Sequence, residues 1–283
     1  MKTKRIIFNG ISYVFLLFIV LLALFPIIYT FFGSFKSNME LLAHPESFFP
    51  IEWTFDNYKT AFFSDSFPVP LLLKNSVIFT GFSVVVTLVS SLNNAYVFER
   101  GNFPGKTILF TIFASLMFIN MGSVTQYAAF NILGALNIPI SLYGLMFTRI
   151  FGIPIMYTFI LRGYIASLPK ELDESARIDG CGFMGIFVRV ILPLLKPVVS
   201  TVLVLTFNSA WNEYLSPTIY TMGVPEQRTL MVGIMALKNS GEGASSWNLM
   251  LAGSVVALCP VIFLFLIANR YFIDSITAGA VKG

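Results

Sequence analysis

Few residues in this sequence could carry out catalysis or bind a metal, and their number and spacing exclude most of that chemistry. The chain has one histidine, His44, so neither a His-based metal cluster nor a Ser-His-Asp triad can be built. Residues Gly101–Thr107 are close to a phosphate-binding loop, but that motif needs four residues between its glycines, and this segment has three. We expect no catalytic residue, no metal site and no nucleotide site.

Residues 164–192 form the longest polar connection between apolar runs, and their pattern predicts two short helices. Glu171 and Glu174 bring negative charge to the first turns, which suits the positive end of a helix dipole. Gly180 is a helix stop signal. Apolar residues then recur at three- and four-residue steps, a stripe that we expect to break at Pro193. A short helix that ends in a glycine bend can lie in a groove of a partner protein.

The composition of the chain indicates a membrane protein. Of its 283 residues, 56% are hydrophobic and 11% are charged, whereas a soluble domain carries about 25% charged residues. Apolar runs recur that are long enough to cross a hydrocarbon core of about 30 Å as helices. We expect an all-α polytopic fold, one transmembrane domain over residues 1–283, with six helices. They cover residues 11–33, 71–96, 106–129, 140–163, 193–215 and 247–270.

The distribution of basic residues predicts the orientation of the chain. Six crossings place both termini on the same side of the membrane, and most of the 18 Lys and Arg residues fall on that side. The positive-inside rule makes it the cytoplasmic side. Residues 36–70 and 217–246 are then external, and residues 164–192 are cytoplasmic. The basic residues are dispersed, so the net charge of +4 does not indicate a nucleic-acid partner.

Several short motifs resemble those of one family of membrane proteins. The run Glu174-Ser175-Ala176, a glycine four residues after the alanine, and Leu192-Pro193 further on resemble the ATPase-docking "EAA" loop of binding-protein-dependent ABC transporter permeases. The last residues, Thr277–Gly283, are similar to the end of the smaller permease subunit of maltose-transporter-type sugar permeases. Further resemblance is carried by Phe32–Lys36, Leu161–Gly163 and Trp211–Glu213. We call residues 164–192 the docking loop.

The resemblance implies a permease subunit of an ATP-driven importer in a bacterial-type cytoplasmic (inner) membrane. Its partners would be a second homologous permease, a cytoplasmic ATPase dimer and an external solute-binding protein that delivers a sugar, in particular an oligosaccharide. This chain would bind no cofactor, because ATP and Mg²⁺ would sit on the ATPase subunits. The residues expected to couple to the ATPase are Glu174, Ser175, Ala176, Asp179, Gly180, Leu192 and Pro193. The residues of a tail expected to contact the ATPase are Ala280, Val281, Lys282 and Gly283.

Polar side chains within the apolar helices are candidates for a substrate pathway, because such groups are costly in lipid. Amide groups and an aromatic face suit a neutral sugar. These candidates are Asn120, Gln126, Asn208, Trp211 and Asn212. The amides could instead form hydrogen bonds between helices, and Trp211 could belong to an interfacial belt. We expect Arg149 to pair with Glu213 as a structural ion pair.

Other interpretations of the sequence remain open at this point. The docking loop could be an amphipathic helix resting on the membrane surface. The chain could serve an importer for a peptide, an amino acid or a polyol phosphate. An ion-coupled secondary transporter would use carboxylates within its helices, for which Glu213 is the one clear candidate. A membrane scaffold would need no polar residues in a cavity.

Overall fold

The computed structural model describes residues 2–64, 67–119, 123–239 and 246–280, and these residues form helices and their connections without any β-strand. The helices are α1 (Lys2–Gly33), α2 (Asn38–Ala43), α3 (Asp56–Phe63), α4 (Val69–Arg100), α5 (Lys106–Ser115), α6 (Ser123–Ala135), α7 (Leu142–Ile150), α8 (Ile155–Ala166), α9 (Glu171–Ile178), α10 (Phe183–Ile186), α11 (Leu192–Leu194), α12 (Lys196–Trp211), α13 (Leu215–Tyr220), α14 (Leu230–Asn239) and α15 (Trp247–Ala280). A π-helix, Phe187–Ile191, joins α10 to α11. Leu116–Phe118 and Pro225–Gln227 form 3₁₀-helices. The all-α fold class predicted from the sequence is confirmed for the described residues.

Four helical stretches among the described residues are long and apolar enough to cross a membrane. They are Asn9–Gly33, Val69–Arg100, Leu142–Ala166 and Trp247–Ile267. A fifth crossing results if Phe183–Leu194 and α12, which meet at an angle of 80°, are counted as one broken span. The count of six spans remains a prediction.

The third predicted helix is not continuous in the structure. Instead of one helix over residues 106–129, α5 ends at Ser115, a 3₁₀ turn follows, and α6 begins at Ser123 and extends to Ala135. The Ser115 hydroxyl donates to the carbonyl of Ile112 at 2.7 Å, a local bond that competes with regular helix geometry. The apolar helical stretch Lys106–Phe118 is shorter than the four long spans.

The fourth and fifth predicted helices are also not single straight helices in the structure. The fourth divides into α7 and α8 around Gly152 and Pro154, because proline has no N–H and disfavours helical geometry in the residue before it. In the fifth, Pro193 does not break the helix. It lies in the first turn of α11, where a backbone N–H is not needed, and the chain bends at Leu195 instead.

The chain divides into two compact units, the first formed by residues 1–71 and 233–260. The buried Asn57 connects its segments. Its Nδ2 donates to the carbonyls of Ser34 at 2.8 Å and Lys36 at 2.7 Å, and its Oδ1 accepts from Asn248 Nδ2 at 2.7 Å. The neighbouring Tyr58 hydroxyl lies 2.7 Å from Ser34 Oγ, and burial raises the pKa of the Tyr58 phenol. The described part of residues 36–70, which are predicted to be external, is therefore a folded segment rather than a loose loop.

Gly253 marks a close approach between elements of the first unit. A Cβ atom at this position would lie 2.8 Å from Phe67 Cζ and 3.2 Å from Ile234 Cγ1. Both neighbours are buried, so neither has free space to move into. Small residues allow helices to approach closely inside membranes.

We expect Gly253→Ala to lower the stability of the purified protein by about 1–3 kcal/mol, because overpacking forces side chains off their rotamers. Thermal unfolding of the transporter in detergent measures this loss. Gly81→Ala in α4 is the matched control, since nothing lies within 4 Å of a Cβ there, and helix propensity favours alanine by roughly 0.5–1 kcal/mol. Equal melting temperatures for the two variants would contradict the packing argument.

The second unit comprises residues 72–232 and 261–283. One buried cluster joins the second half of α4 to α8 and the docking loop, with Tyr96, Leu161, Ile165, Phe187 and Ile191 at its centre. Another joins the first half of α4 to α6, α7 and α13 through Phe79, Leu133, Leu145 and Tyr220. One face of the docking loop is therefore packed into the interior of this unit.

Candidate functional site

The first half of the docking loop is a short helix with an acidic first turn and a glycine cap at its C-terminal end. Three acidic residues occupy the first turn of α9, where they suit the helix dipole. The helix ends at Ile178, and two residues later Gly180 has a φ of 79°, in the left-handed region that favours glycine. The N–H of Cys181 then closes the turn by donating to the Ala176 carbonyl at 2.9 Å. Two helices with a glycine bend between them are what the sequence predicts here.

The two faces of α9 have different environments. Asp173 and Ala176 are buried, whereas Glu174, Ser175, Asp179 and Gly180 are exposed. The Ile178 side chain next to them is 87% exposed. At the end of the loop Leu192 is half-buried and Pro193 is exposed. The residues expected to couple to a partner thus lie mainly on an open surface that combines carboxylates with an apolar side chain, while Ala176 packs α9 against its own unit.

The inner face of α9 is anchored to α4 by a buried ion pair. Arg100 Nε lies 3.2 Å from Asp173 Oδ2, and the two side chains are only 6% and 8% exposed. Arg100 Nη2 also donates to the carbonyl of Leu168 at 2.8 Å. Removing one member of such a pair leaves an uncompensated charge out of water. Arg100 therefore fixes both the start and the inner face of α9.

The second half of the docking loop is anchored to α4 through Tyr96. Its hydroxyl donates to the carbonyl of Phe183 at 3.0 Å. Its ring lies against Phe183 and Phe187, with centroid distances of 4.5 and 4.7 Å. Both halves of the loop are thus held by one helix, α4, in addition to their covalent connections to α8 and α12.

We expect Tyr96→Ala to destabilise the docking loop by about 3–5 kcal/mol, because it removes a buried aromatic ring. Tyr96→Phe keeps the ring and removes one hydrogen bond, so its cost should be near 1 kcal/mol. Protection of the loop amides in hydrogen exchange measures both effects. If the wild-type protein and Tyr96→Phe showed equal protection of the loop amides, the hydrogen bond from the Tyr96 hydroxyl would contribute nothing to the stability of the loop.

A second set of charges holds the neighbouring turn at residues 101–105. Arg162 Nε donates to Glu99 Oε2 at 2.8 Å, and its guanidinium lies 3.7 Å from the centre of the Phe110 ring. Lys106 Nζ donates to the carbonyls of Glu99 at 3.0 Å and Gly101 at 2.9 Å, where a cation suits a helix C-terminus. The lysine of the loop that resembles a phosphate-binding motif is therefore engaged by backbone carbonyls.

Tyr96, Arg100 and Asp173 anchor the docking loop to α4, and the sequence patterns did not identify them. Arg100 appears in the sequence only as a basic residue at the end of an apolar run, and Asp173 only as one of several acids in a polar loop. The one available signal is the position of Asp173, three residues before Ala176 and hence on the same face of α9.

The expected partners Arg149 and Glu213 are in contact. Arg149 Nη2 donates to Glu213 Oε2, and each side chain is about a quarter exposed. The guanidinium also lies 4.7 Å from the centre of the Phe79 ring. Arg149 borders a cleft of about 160 Å³ at the break between α7 and α8. The pair therefore spans α7 and the end of α12 beside an interrupted helix.

The other pathway candidates form separate hydrogen bonds. In the described part of the chain they do not line a common cavity. Gln126 Nε2 donates to Ser216 Oγ at 3.0 Å, and Asn212 Nδ2 donates to Asn208 Oδ1 at 3.0 Å. Trp211 is 4% exposed and stacks on Phe207 with a centroid distance of 5.6 Å. In this conformation its ring offers no open face to a sugar, and it is not an exposed belt residue. Asn120 lies outside the described residues.

The tail candidates are described only in part. Ala280 is the last residue of α15, and Val281, Lys282 and Gly283 lie outside the described residues.

Comparison with known proteins decides the family. The sequence model of one protein family, described as 'binding-protein-dependent transport system inner membrane component', matches residues 5–277 of this chain. The chain belongs to this family. Its members are transport components rather than enzymes, so this family member is a multi-pass inner-membrane permease without catalytic activity of its own.

Similar proteins have names that refer to oligosaccharides. The galactooligosaccharides transport system permease protein of Bacillus subtilis is 33% identical over 287 residues and covers 100% of this chain and 99% of the relative. The arabinooligosaccharides transport system permease protein of the same organism is 32% identical, covering 95% and 94%. The diacetylchitobiose uptake system permease protein of Streptomyces coelicolor is 32% identical, covering 92% of each.

A solved structure has the same fold. A chain of a bacterial ABC transporter involved in the import of the acidic polysaccharide alginate matches with a TM-score of 0.78 at 24% identity, covering 96% of this chain and 98% of that chain.

Proposed function

We propose that this permease is one membrane subunit of an ATP-driven importer for an oligosaccharide, which an external solute-binding protein delivers. The observation that carries the ATP-driven part of the proposal is the docking loop, a short helix that exposes carboxylates and Ile178 on one face and is fixed to α4 on its other face. Such a surface is suited to receive a partner and to transmit its movement, because a rigid helix moves as a whole whereas a slack loop absorbs displacement.

The partners in this proposal are a second, similar permease and a cytoplasmic ATPase dimer. ATP and Mg²⁺ bind to the ATPase subunits, and this chain supplies no catalytic group. Glu174, Ser175, Asp179 and Gly180 line the contact surface, with Ile178 added on the basis of its exposure. Residues 280–283 form a second contact. The docking loop and both termini are cytoplasmic, as the distribution of basic residues favours.

The proposed mechanism begins with closure of the ATPase dimer against α9. The push passes to α4 through the Arg100–Asp173 pair and Tyr96, and to α8 and α12 through the chain itself. Those helices then move together, and a central cavity changes its accessibility from one side of the membrane to the other. Arg149 and Glu213, beside the interrupted α7–α8 span, lie in the moving part.

An oligosaccharide is the cargo class favoured by the names of the relatives, which include galactooligosaccharide, arabinooligosaccharide and diacetylchitobiose transporters. Amide side chains such as Asn208 and Gln126 are suitable partners for sugar hydroxyls, since each offers both a donor and an acceptor. Their present bonds to Asn212 and Ser216 would have to open for that contact.

The decisive experiment reconstitutes the complete transporter in vesicles with its binding protein and measures ATP turnover. Galactooligosaccharides, arabinooligosaccharides, chitobiose derivatives, peptides and amino acids are added one at a time. We expect stimulation by one class of oligosaccharide only. Stimulation by peptides or amino acids alone would overturn the sugar assignment, and uptake driven by an ion gradient without ATP would overturn the importer assignment.

A further inference from the structure

The segment that follows α1 carries a run of exposed apolar side chains. Phe49 is 60% exposed, Ile51 65%, Trp53 56% and Phe55 62%. We call residues 44–55 the aromatic flap. Contiguous apolar surface of this kind is rare where a protein faces only water. We therefore expect lipid or another protein to cover these side chains.

The aromatic flap folds back along the last turns of α1. The Phe48 ring lies 5.6 Å from the Phe25 ring and 6.4 Å from the Tyr29 ring, as measured between centroids. The Phe32 ring lies 5.6 Å from Phe48 and 6.0 Å from Trp53. The flap thus runs beside the helix and does not project away from its end.

Buried polar contacts hold the aromatic flap in this position. Lys36 is fully buried, and its Nζ donates to Ser47 Oγ at 2.7 Å. The same ammonium lies 3.9 Å from Glu40 Oε1, which accepts from the N–H of Ile51 at 2.8 Å. The exposed side chains are therefore displayed by a fixed backbone.

The contacts with α1 define the depth of the aromatic flap. Asn9–Gly33 is an apolar span of 25 residues, about 37 Å long against a hydrocarbon core of about 30 Å. Phe25 lies about 12 Å along the helix from Gly33. If the span is centred, Phe25 is about 8 Å inside the hydrocarbon boundary, and Phe48 packs directly against it.

We propose that the aromatic flap is inserted into the lipid leaflet at the C-terminal end of α1, with Phe49, Trp53 and Phe55 among the headgroups and the first acyl carbons. This is the depth at which aromatic side chains are enriched in membrane proteins. The exposed apolar surface of α1 continues into the flap, and no residue in the most apolar window of this span is buried. Glu46 and Glu52, both exposed, form the polar edge of the flap.

Lipid is a better cover for the flap than a soluble binding protein. A binding protein approaches from water and cannot contact side chains beside Phe25 without entering the bilayer. Insertion of the flap into lipid is independent of the cargo, of ATP and of which leaflet is external.

The test measures the environment of a spin label at residue 49 in the complete transporter, reconstituted in vesicles of phosphatidylethanolamine and phosphatidylglycerol. Cys181 and Cys259 are free and are replaced by alanine, and the partner subunits are used without cysteines. Phe49→Cys is compared with Lys59→Cys in the same unit, whose parent side chain is 73% exposed, and with Val20→Cys within the α1 span. Accessibility to molecular oxygen reports lipid, and accessibility to a nickel chelate reports water.

We expect the ratio of oxygen to nickel accessibility at residue 49 to be several-fold higher than at residue 59 and lower than at residue 20. A ratio equal to that of residue 59 would place the flap in water and overturn the proposal. Low accessibility to both reagents would show a protein cover, such as a binding protein or the second permease, and would equally overturn it. Ile51→Cys repeats the measurement if Phe49→Cys does not assemble.

Discussion

Replacing Arg100 with leucine is expected to abolish most ATP-dependent uptake. The change leaves the Asp173 carboxylate, 8% exposed, without its counter-charge, and breaking a buried pair in this way costs about 3–5 kcal/mol. At about 1.4 kcal/mol for each factor of ten, the equilibrium between the anchored and the displaced docking loop shifts by at least about 100-fold. Uptake of the cargo and co-purification of the ATPase subunits measure the result.

The double variant Arg100→Leu/Asp173→Leu separates lost charge pairing from a general packing defect. Replacing both members of a buried pair by apolar groups is often close to neutral, so uptake should recover in part. Recovery stays incomplete because Arg100 also donates to the Leu168 carbonyl. Lys59→Leu is a control for an exposed pair with Asp56, for which about 0–1 kcal/mol is expected. Normal uptake by Arg100→Leu would exclude the pair as the anchor of α9.

Replacing Gly180 with valine is expected to uncouple ATP hydrolysis from uptake or to prevent assembly with the ATPase. The φ of 79° at this residue disfavours a side chain, with a cost of roughly 1–2 kcal/mol for an ordinary residue and more for a β-branched one. No atom lies within 4 Å of a Cβ built there, so the effect arises from the backbone. The measurement is the number of cargo molecules transported per ATP hydrolysed.

Gly182 provides the matched control, because it lies in the same bend and has equally open space around a Cβ. Its φ of −71° is an ordinary value, so Gly182→Val should keep normal coupling. At position 180 we expect the defect to increase from Asn to Ala to Val, since asparagine tolerates the left-handed conformation. Equal defects at the two glycines would show that bulk matters rather than backbone conformation.

The parts of the fold that follow local rules were predictable from the sequence. Gly180 is an example, because a helix that stops at glycine needs only the preceding eight or so residues to be recognised. The long apolar helices α1, α4 and α15 were found from the length of their apolar runs. The signal for the break between α7 and α8 was also present, in Gly152 and Pro154, but the apolar run that continues through them concealed it.

The parts that depend on distant contacts could not be predicted in the same way. The Arg100–Asp173 pair joins two elements far apart in the sequence, and nothing near either residue specifies the other. Pro193 was misjudged because the consequence of a proline depends on whether it lies in the first turn of a new helix. The burial of Trp211 against Phe207 likewise depends on packing around α12 that composition does not reveal.

Because of the bend at Leu195, the second half of the docking loop and α12 form one bent unit with two arms. Phe183–Leu194 is one arm, about 18 Å long, and α12 is the other, about 24 Å long, with 80° between them and the pivot residue Leu195 fully buried. If the two arms rotate together about Leu195, a displacement of about 3 Å at the free end of the first arm corresponds to a rotation of roughly 10°. The far end of the second arm then moves by about 4 Å. In the proposed mechanism, this geometry converts a push on the loop into a rotation with a slightly larger displacement at the far end of α12.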